Sequence, residues 1–393
     1  MKDSIVVIGA ARTPLGGLLG TLSGVSAPAL GATALRSAIE RAKVPADAID
    51  ETIMGCVLPA GLGQAPARQA SIGAGIPRSV PCTTINKMCG SGMRAVMFGM
   101  DLLQSGSANI VAAGGMESMS NAPHLLPKLR SGLRLGHGQV LDHMFLDGLE
   151  DAYDKGRLMG TFAEDTAKKY GFTREQQDAF AIASLTRAQN AIRDGKFRGE
   201  IVPVSVPSKK GDVLVDTDEQ PAAANLEKIP TLKPAFAKDG TVTPANSSSI
   251  SDGAAALVLT TEPEANRRGA RVLARLIGHA SHAQEPAWFT TAPVGAIEKL
   301  LKKIGWKVAD VDLWEINEAF AVVTMAAMHD LKLPHEKVNV HGGACALGHP
   351  IGASGARILV TLIAALQDRG LKRGVAGICI GGGEATAIAL ELT

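Results

Sequence analysis

At 393 residues, 46% hydrophobic and with a net charge of +2, the chain has apolar content for one large core or two ordinary ones, and it reads as a soluble globular enzyme. Its Lys and Arg are scattered rather than blocked, so composition gives no support to a nucleic-acid or membrane partner. The five cysteines, Cys56, Cys82, Cys89, Cys345 and Cys379, predict reduced thiols in a cytoplasmic setting rather than a disulfide framework.

In chain order, the apolar run at 5–11 ends at Arg12-Thr13-Pro14, too short for a signal peptide or a transmembrane helix. An amphipathic helix is predicted at 30–42 and a strand at 52–57. A helix opens at Gly90, and an apolar strand follows at 109–113. From about 121 to 245 the pattern turns polar, with a helical stretch at 162–194 and a Pro- and Lys-rich stretch at 203–234. This reads as an inserted loop domain carrying substrate-binding surface. A strand at 254–259 returns to the first unit. The order then repeats: helix 294–304, strand 311–316, a helix opening at Gly352, strand 374–380.

The repetition extends to residues. Ala46-Asp47-Ala48-Ile49-Asp50 is echoed by Ala309-Asp310-Val311-Asp312 at an offset of 262. Ser91-Gly92-Met93-Arg94 is echoed by Ser354-Gly355-Ala356-Arg357, and Ala113-Gly114 by Ala376-Gly377, both at 263. Three matches in register argue for a duplicated α/β unit. The first half is expected at 1–120 and 246–272, the inserted domain at 121–245 and the second half at 273–393. Alternating strands and helices predict mainly parallel sheets covered by helices.

Three glycine-lined turns carry reactive groups. Cys89 precedes Gly90-Ser91-Gly92 at a predicted helix start, where unpaired N–H groups and the dipole favour a thiolate. The plainer reading is a small buried hydrophobe, but small residues on its reactive side favour a nucleophile. His349, in the run HGGACALGHPIGASGAR, is placed as a neutral imidazole to take the Cys89 proton rather than as a turn histidine bonded to backbone. Cys379 ends a strand before Gly381, Gly382 and Gly383, whose N–H groups suit an oxyanion. A second thiol there is better placed as an acid or base. Asn317-Glu318, at a strand end, is equally an ordinary helix N-cap. Cys345 and His349 have ligand-like spacing, with His341 and Cys379 as further candidates. No CxxC or HxxxH pair backs them, so no metal site is expected. No phosphate-loop or dinucleotide fingerprint is present either. Two cysteines and a histidine in such turns suggest thiol chemistry on an acyl group.

These segments together resemble the thiolase family, specifically its short-chain β-ketothiolases. The residues that carry the resemblance are Ala11 to Pro14, Asn86 to Arg94, Gly114 to Met119, Asn317 to Ala321, Gly342 to Gly355 and Cys379 to Gly383, and it covers essentially the whole chain. It implies an α/β fold of duplicated αβα halves stacked as a five-layer αβαβα core with an inserted loop domain, and a homo-oligomer, tetramer or dimer. It implies that Cys89 is the acylated nucleophile, His349 its base and Cys379 the acid/base at the α-carbon. Asn317 would hold a water that forms one oxyanion hole with His349, and the N–H groups of Cys89 and Gly381 would form the other. Ser248 matches a serine that contacts pantetheine, and Met159 and Phe320 match positions lining the acyl pocket. The implied reaction is a reversible, ping-pong Claisen condensation of acetyl-CoA with acetyl-CoA or a short acyl-CoA, with no cofactor beyond the CoA thioesters.

The chain departs from the family pattern at Leu158, where short-chain members commonly have a histidine, and at Pro221, near which relatives place an arginine by the adenine. His341 and Cys345 are further departures. Leu158 makes a degradative 3-ketoacyl-CoA thiolase of broader chain length the alternative. A non-catalytic, acyl-CoA- or lipid-binding thiolase-like protein is the alternative of another class, and the retention of Cys89, His349, Cys379 and Asn317 weighs against it.

Overall fold

The apolar run near the N-terminus is a strand, β1 (Ile5–Arg12), in a computed structural model that describes residues 3–393. Its side chains alternate between two cores, Ile5 and Val7 entering one and Val6 and Ile8 the other. A strand buried on both faces needs a layer of helices on each side. Those helices and the remaining strands follow in the order α1 (Ala27–Ala42), β2 (Glu51–Gly55), α2 (Pro66–Gly73), β3 (Cys82–Ile85), α3 (Ser91–Ser105) and β4 (Ile110–Ser118). The intervening segment carries α4 (Met159–Tyr170) and α5 (Arg174–Arg193), and β5 (Ser251–Thr261) returns to the sheet. The second half runs β6 (Ala274–Ala283), α6 (Ala292–Ile304), β7 (Leu313–Ile316), α7 (Ala321–Leu331), α8 (Ser354–Arg369), β8 (Arg373–Ile380) and β9 (Glu384–Glu391).

The strands join in the order β7-β8-β9-β6-β1-β5-β4-β2-β3, with the two-residue strand Gly16–Gly17 added on β5 as the tenth. The halves meet where β1 and β6 run antiparallel, Ile5 opposite Leu276. Helices α1 and α2 cover the outer face of the first half, α6 and α7 that of the second, and α3 and α8 fill the middle. Twelve of the 16 residues of α8 are buried, as a helix between the two halves of the sheet requires. Truncating Leu359 in that layer would cost about 2–5 kcal/mol. These are the five layers αβαβα.

The expectation of mainly parallel sheets is corrected. Only β2–β3, β2–β4 and β7–β8 are parallel, and the other six pairings are antiparallel. An apolar strand buried on both faces reads the same in either direction, so the connections decide. Ile380 faces Glu384 across Gly381, Gly382 and Gly383, a link far too short for a parallel crossover. The helical stretch at 162–194 is also two helices rather than one. Gly171 closes α4 in the left-handed region, and Thr173 with Gln176 forms a capping box on α5.

The repeated residues do repeated work. Asp50 accepts the N–H groups of Asn109 and Ile110 at the start of β4, and Asp312 accepts those of Lys372 and Arg373 at the start of β8. The first turns of α3 and α8 touch, so that a Cβ on Gly92 would lie 2.8 Å from the nitrogen of Ala356 and one on Gly355 would strike that of Met93. Glycine at both positions lets two helix N-termini, and the loops before them, meet. Arg12 is a structural tie: buried on β1, it holds Glu200 (2.5 Å) and Asp218 (2.7 and 2.9 Å) of the intervening segment. Among the described residues no helix is long and apolar enough to cross a membrane.

Candidate active site

Between β3 and α3 the chain makes a tight loop. Asn86 Oδ1 accepts from Met88 N at 2.9 Å, while Ser91 Oγ accepts from Lys87 N at 2.8 Å and donates to Met88 O at 2.7 Å. Met88 takes φ 47°, a strained choice for a non-glycine residue. The result sets Cys89 immediately before Gly90, the N-cap of α3. A Cβ on Gly90 would strike Ile380, so this loop packs on the end of β8. The N–H groups of Gly381 and of Cys89 itself are directed at the Cys89 sulfur. They favour the thiolate, but burial outweighs them and pushes the thiol up to about 11. The donors expected at the helix start are in place, and burial opposes the thiolate that they favour.

His349 stands at the matching loop before α8. Its N–H is bonded to Ser249 O (3.1 Å) and Ser251 Oγ (3.2 Å), and Gly348 before it takes φ +103°. Ser354 Oγ donates to Pro350 O at 2.9 Å, so it accepts the hydrogen bond of His349 Nδ1–H at 2.6 Å. That network assigns the tautomer and leaves Nε2 as the basic nitrogen, buried and without a protein partner. Burial, then the charge of Arg357, pushes the imidazole down to about 3. Burial thus favours the neutral form of both groups.

Both groups line a cavity of about 350 Å³ whose other walls are mostly apolar. Gly381, Ser248, Leu158, Met159 and Phe320 line it too. Leu158 is the N-cap of α4 and Met159 its first residue, with the Met159 sulfur over Gly381. Phe320 meets Phe236 edge to face at 6.0 Å. Ser248 Oγ donates to Ala319 O at 2.9 Å, which leaves its lone pairs for a ligand donor.

Cys379 and Asn317 lie behind these walls rather than among them. Cys379 is fully buried against Phe162, Phe289 and Phe320, and burial, then the charge of Cys89, holds its thiol well above the usual range. Asn317 is 1% exposed, and neither polar atom of its side chain has a protein partner. It is not a helix cap, because α7 starts after Phe320 with no side-chain cap. Its neighbour Glu318 accepts from Ser184 Oγ, Asn339 Nδ2 and Cys345 N. Pro221 is buried in the short helix Glu219–Ala223, away from the cavity lining.

Cys345 Sγ turns to Glu318 O at 3.7 Å, and His341 faces Asp368 at 3.7 Å. Among the described residues no three His, Cys, Asp or Glu side chains gather as metal ligands. Two residues at the site went unassigned in the sequence. Ser354 orients His349, and its signal was the match to Ser91. Glu117 is fully buried and bonds to the backbone of both the 56–58 loop and the His349 turn.

A thiol and a base in one largely apolar cavity, on an αβαβα core, define an acyltransferase of the thiol type. The N-terminal domain of thiolase matches residues 5–263 and its C-terminal domain residues 270–392. The chain belongs to the thiolase family. It is 48% identical to an acetyl-CoA acetyltransferase of Allochromatium vinosum over 100% of both chains. It is 50% identical to acetyl-CoA acetyltransferase 2 of Arabidopsis thaliana over 99% of this chain and 97% of that one. The fold superposes on the crystal structure of the Bacillus anthracis acetyl-CoA acetyltransferase with a TM-score of 0.97 at 40% identity, covering 100% and 99% of the two chains. A thiolase from Ascaris suum in complex with coenzyme A gives 0.94 at 45% identity over 100% of both.

Proposed function

We propose that the protein is an acetyl-CoA C-acetyltransferase, condensing acetyl-CoA reversibly with acetyl-CoA or another short acyl-CoA through an acyl-Cys89 intermediate. The observation that carries this is the Cys89 thiol and the free Nε2 of His349 on one cavity, with the Gly381 N–H on the sulfur. The activity borne in the names of the Allochromatium and Arabidopsis relatives supports it.

In the first half-reaction His349 Nε2 takes the Cys89 proton as sulfur attacks the thioester carbonyl. The C–S bond to CoA breaks, and the CoA thiolate takes the proton of Cys379. In the second, the Cys379 thiolate removes an α-proton from another acetyl-CoA, and the resulting enolate attacks acyl-Cys89. The Cys89 thiolate leaves and recovers its proton from His349. The N–H groups of Cys89 and Gly381 hold the oxyanion on the acyl-cysteine, and a water on Asn317 together with His349 holds the thioester oxygen of the second acyl-CoA. The two unpartnered polar atoms of Asn317 support that water site. No cofactor beyond the CoA thioesters enters this scheme. The setting proposed is cytoplasmic and the assembly a homo-oligomer, tetramer or dimer, which the exposed Leu126, Leu129, Leu133 and Leu135 support.

Incubation with acetyl-CoA, read by intact mass and by CoA release, tests the reading. An acetyl adduct on Cys89 with stoichiometric CoA is expected, and a protein that forms neither would be a binding protein rather than a transferase.

A further inference from the structure

Glu117, next to last in β4, has no place in the reaction above, yet it touches the supports of both reacting groups. Its Oε2 accepts the N–H groups of Val57 and Gly352, each at 2.9 Å. Its Oε1 accepts that of Leu58 at 3.1 Å and faces Cys56 Sγ at 3.7 Å. Val57 and Leu58 leave the end of β2. Gly352 lies three residues after His349 and two before Ser354, which orients the imidazole. The side chains of Val57, Leu58 and Ile351 share one apolar cluster, against which Met88 and Cys89 pack. One carboxylate thus fixes the surface beneath the thiol and the turn that aims the base. The fit is close on both sides: a Cβ on Gly352 would lie 2.5 Å from Glu117 Oε2, and a Cβ on Gly115 would strike the carbonyl of Gly352.

We infer that Glu117 is a positioning residue that holds the His349 turn and the Cys89 support in one register through three backbone N–H groups, so that its loss slows proton transfer from thiol to imidazole without weakening thioester binding. An amide in its place offers one acceptor oxygen and turns an NH₂ group toward a backbone donor. The cavity walls at Leu158, Met159, Ser248 and Phe320 are not among its contacts.

The inference rests on acylation of Cys89, so the test compares full-length wild type with Glu117→Gln and Glu117→Asp. It measures CoA released from acetyl-CoA in a single turnover, KM for the thioester, and the pH profile of Cys89 alkylation by iodoacetamide. For Glu117→Gln the acylation rate should fall on the order of 10²-fold, as for a misplaced reacting pair, with KM within about threefold. Burial raises the Glu117 carboxyl to about 7, so it is ionised in the alkaline range where Cys89 titrates; removing that charge, which opposes thiol ionisation, should move the variant's alkylation profile to lower pH. Glu117→Asp keeps the charge and withdraws the carboxylate by one methylene, so it should lose acylation while keeping the wild-type alkylation profile. An acylation rate within about threefold of wild type in either folded variant, or a loss confined to KM, overturns the positioning role. If Glu117→Gln does not fold, Glu117→Asp is judged alone by the same rate and KM. A wild type that releases no CoA overturns the acylation reading and this role with it. A wild type that acylates beside unimpaired variants overturns this role only.

Discussion

The two halves bring the same backbone device to the centre of the molecule and arm it differently. The offset of 263 sets Asn86 opposite His349, Cys89 opposite Gly352 and Ser91 opposite Ser354. Each serine donates from its helix start to a carbonyl of its own loop, Ser91 to Met88 and Ser354 to Pro350. In the first half the reactive group sits beside the helix N-cap, close to backbone donors. In the second it sits three residues earlier, and a glycine whose N–H is taken by Glu117 stands in the place of the thiol. The strand ends diverge as well, with Met116 opposite Cys379 and Glu117 opposite Ile380. Duplication supplied a scaffold that brings two loops to one cavity, and single residues within each loop decided what chemistry each contributes.

The largest effect should come from disarming the first loop. Cys89→Ala is expected to abolish acetylation by acetyl-CoA while the fold persists, since a small side chain in a loop has little packing to lose. Intact mass checks the adduct and a thermal melt the fold, and wild-type acetylation of the variant would remove Cys89 from its role. Next comes Cys379→Ser. A hydroxyl is a poor base near neutral pH, so condensation should fall by about 10²-fold or more. Acetylation should survive, because a CoA thiolate leaves without needing the Cys379 proton. If Cys379→Ser blocks acetylation as completely as Cys89→Ala, the division of labour between the thiols fails.

The paired serines test the comparison most directly. Ser354→Ala removes the acceptor for His349 Nδ1, and the loss of one such hydrogen bond, roughly 1.4 kcal/mol, predicts a fall of about tenfold in the acylation rate. Ser91→Ala removes bonds within the Cys89 loop only and should appear chiefly as about 1 kcal/mol of lost stability in a denaturant melt. Equal effects of the two variants on both measurements would mean that Ser354 acts as a loop brace and nothing more.

These residues also show what was legible in the sequence and why the rest was not. Cys89, His349 and Cys379 stood out because close approach of backbones requires glycine beside them, and glycine leaves a mark in the letters. The repeat was legible because Asp50 and Asp312 do identical local work. Glu117 was not, because a glutamate after an apolar strand reads as a solvated strand end. Its partners lie 60, 59 and 235 residues away in the chain. The burial that opposes the Cys89 thiolate was hidden for the same reason. The helix start is local and visible, whereas the walls that bury the sulfur arrive from distant segments. Strand direction was silent in the apolar pattern and is written only in connections such as Gly381 to Gly383.

The smallest expected effect concerns Leu158, on the inserted segment, the one part of the site that the duplication did not supply. Leu158 lines the cavity with Met159 and Phe320, so the wall beside the acyl group is apolar where a histidine would be polar. Each methylene buried contributes up to about 0.8 kcal/mol, and such a wall favours longer chains to the extent that the cavity admits them. Thiolysis of 3-ketovaleryl-CoA or 3-ketohexanoyl-CoA should therefore proceed with kcat/KM within about tenfold of acetoacetyl-CoA, a gap of roughly 1.4 kcal/mol. Leu158→His should narrow the range toward the four-carbon substrate. The measurement is kcat/KM across chain lengths with free CoA, wild type beside variant. Discrimination by wild type against the five-carbon substrate well beyond that margin, or an unchanged ratio in Leu158→His, would mean that chain length is set elsewhere in the cavity. A strict acetoacetyl-CoA thiolase would then be the reading that stands.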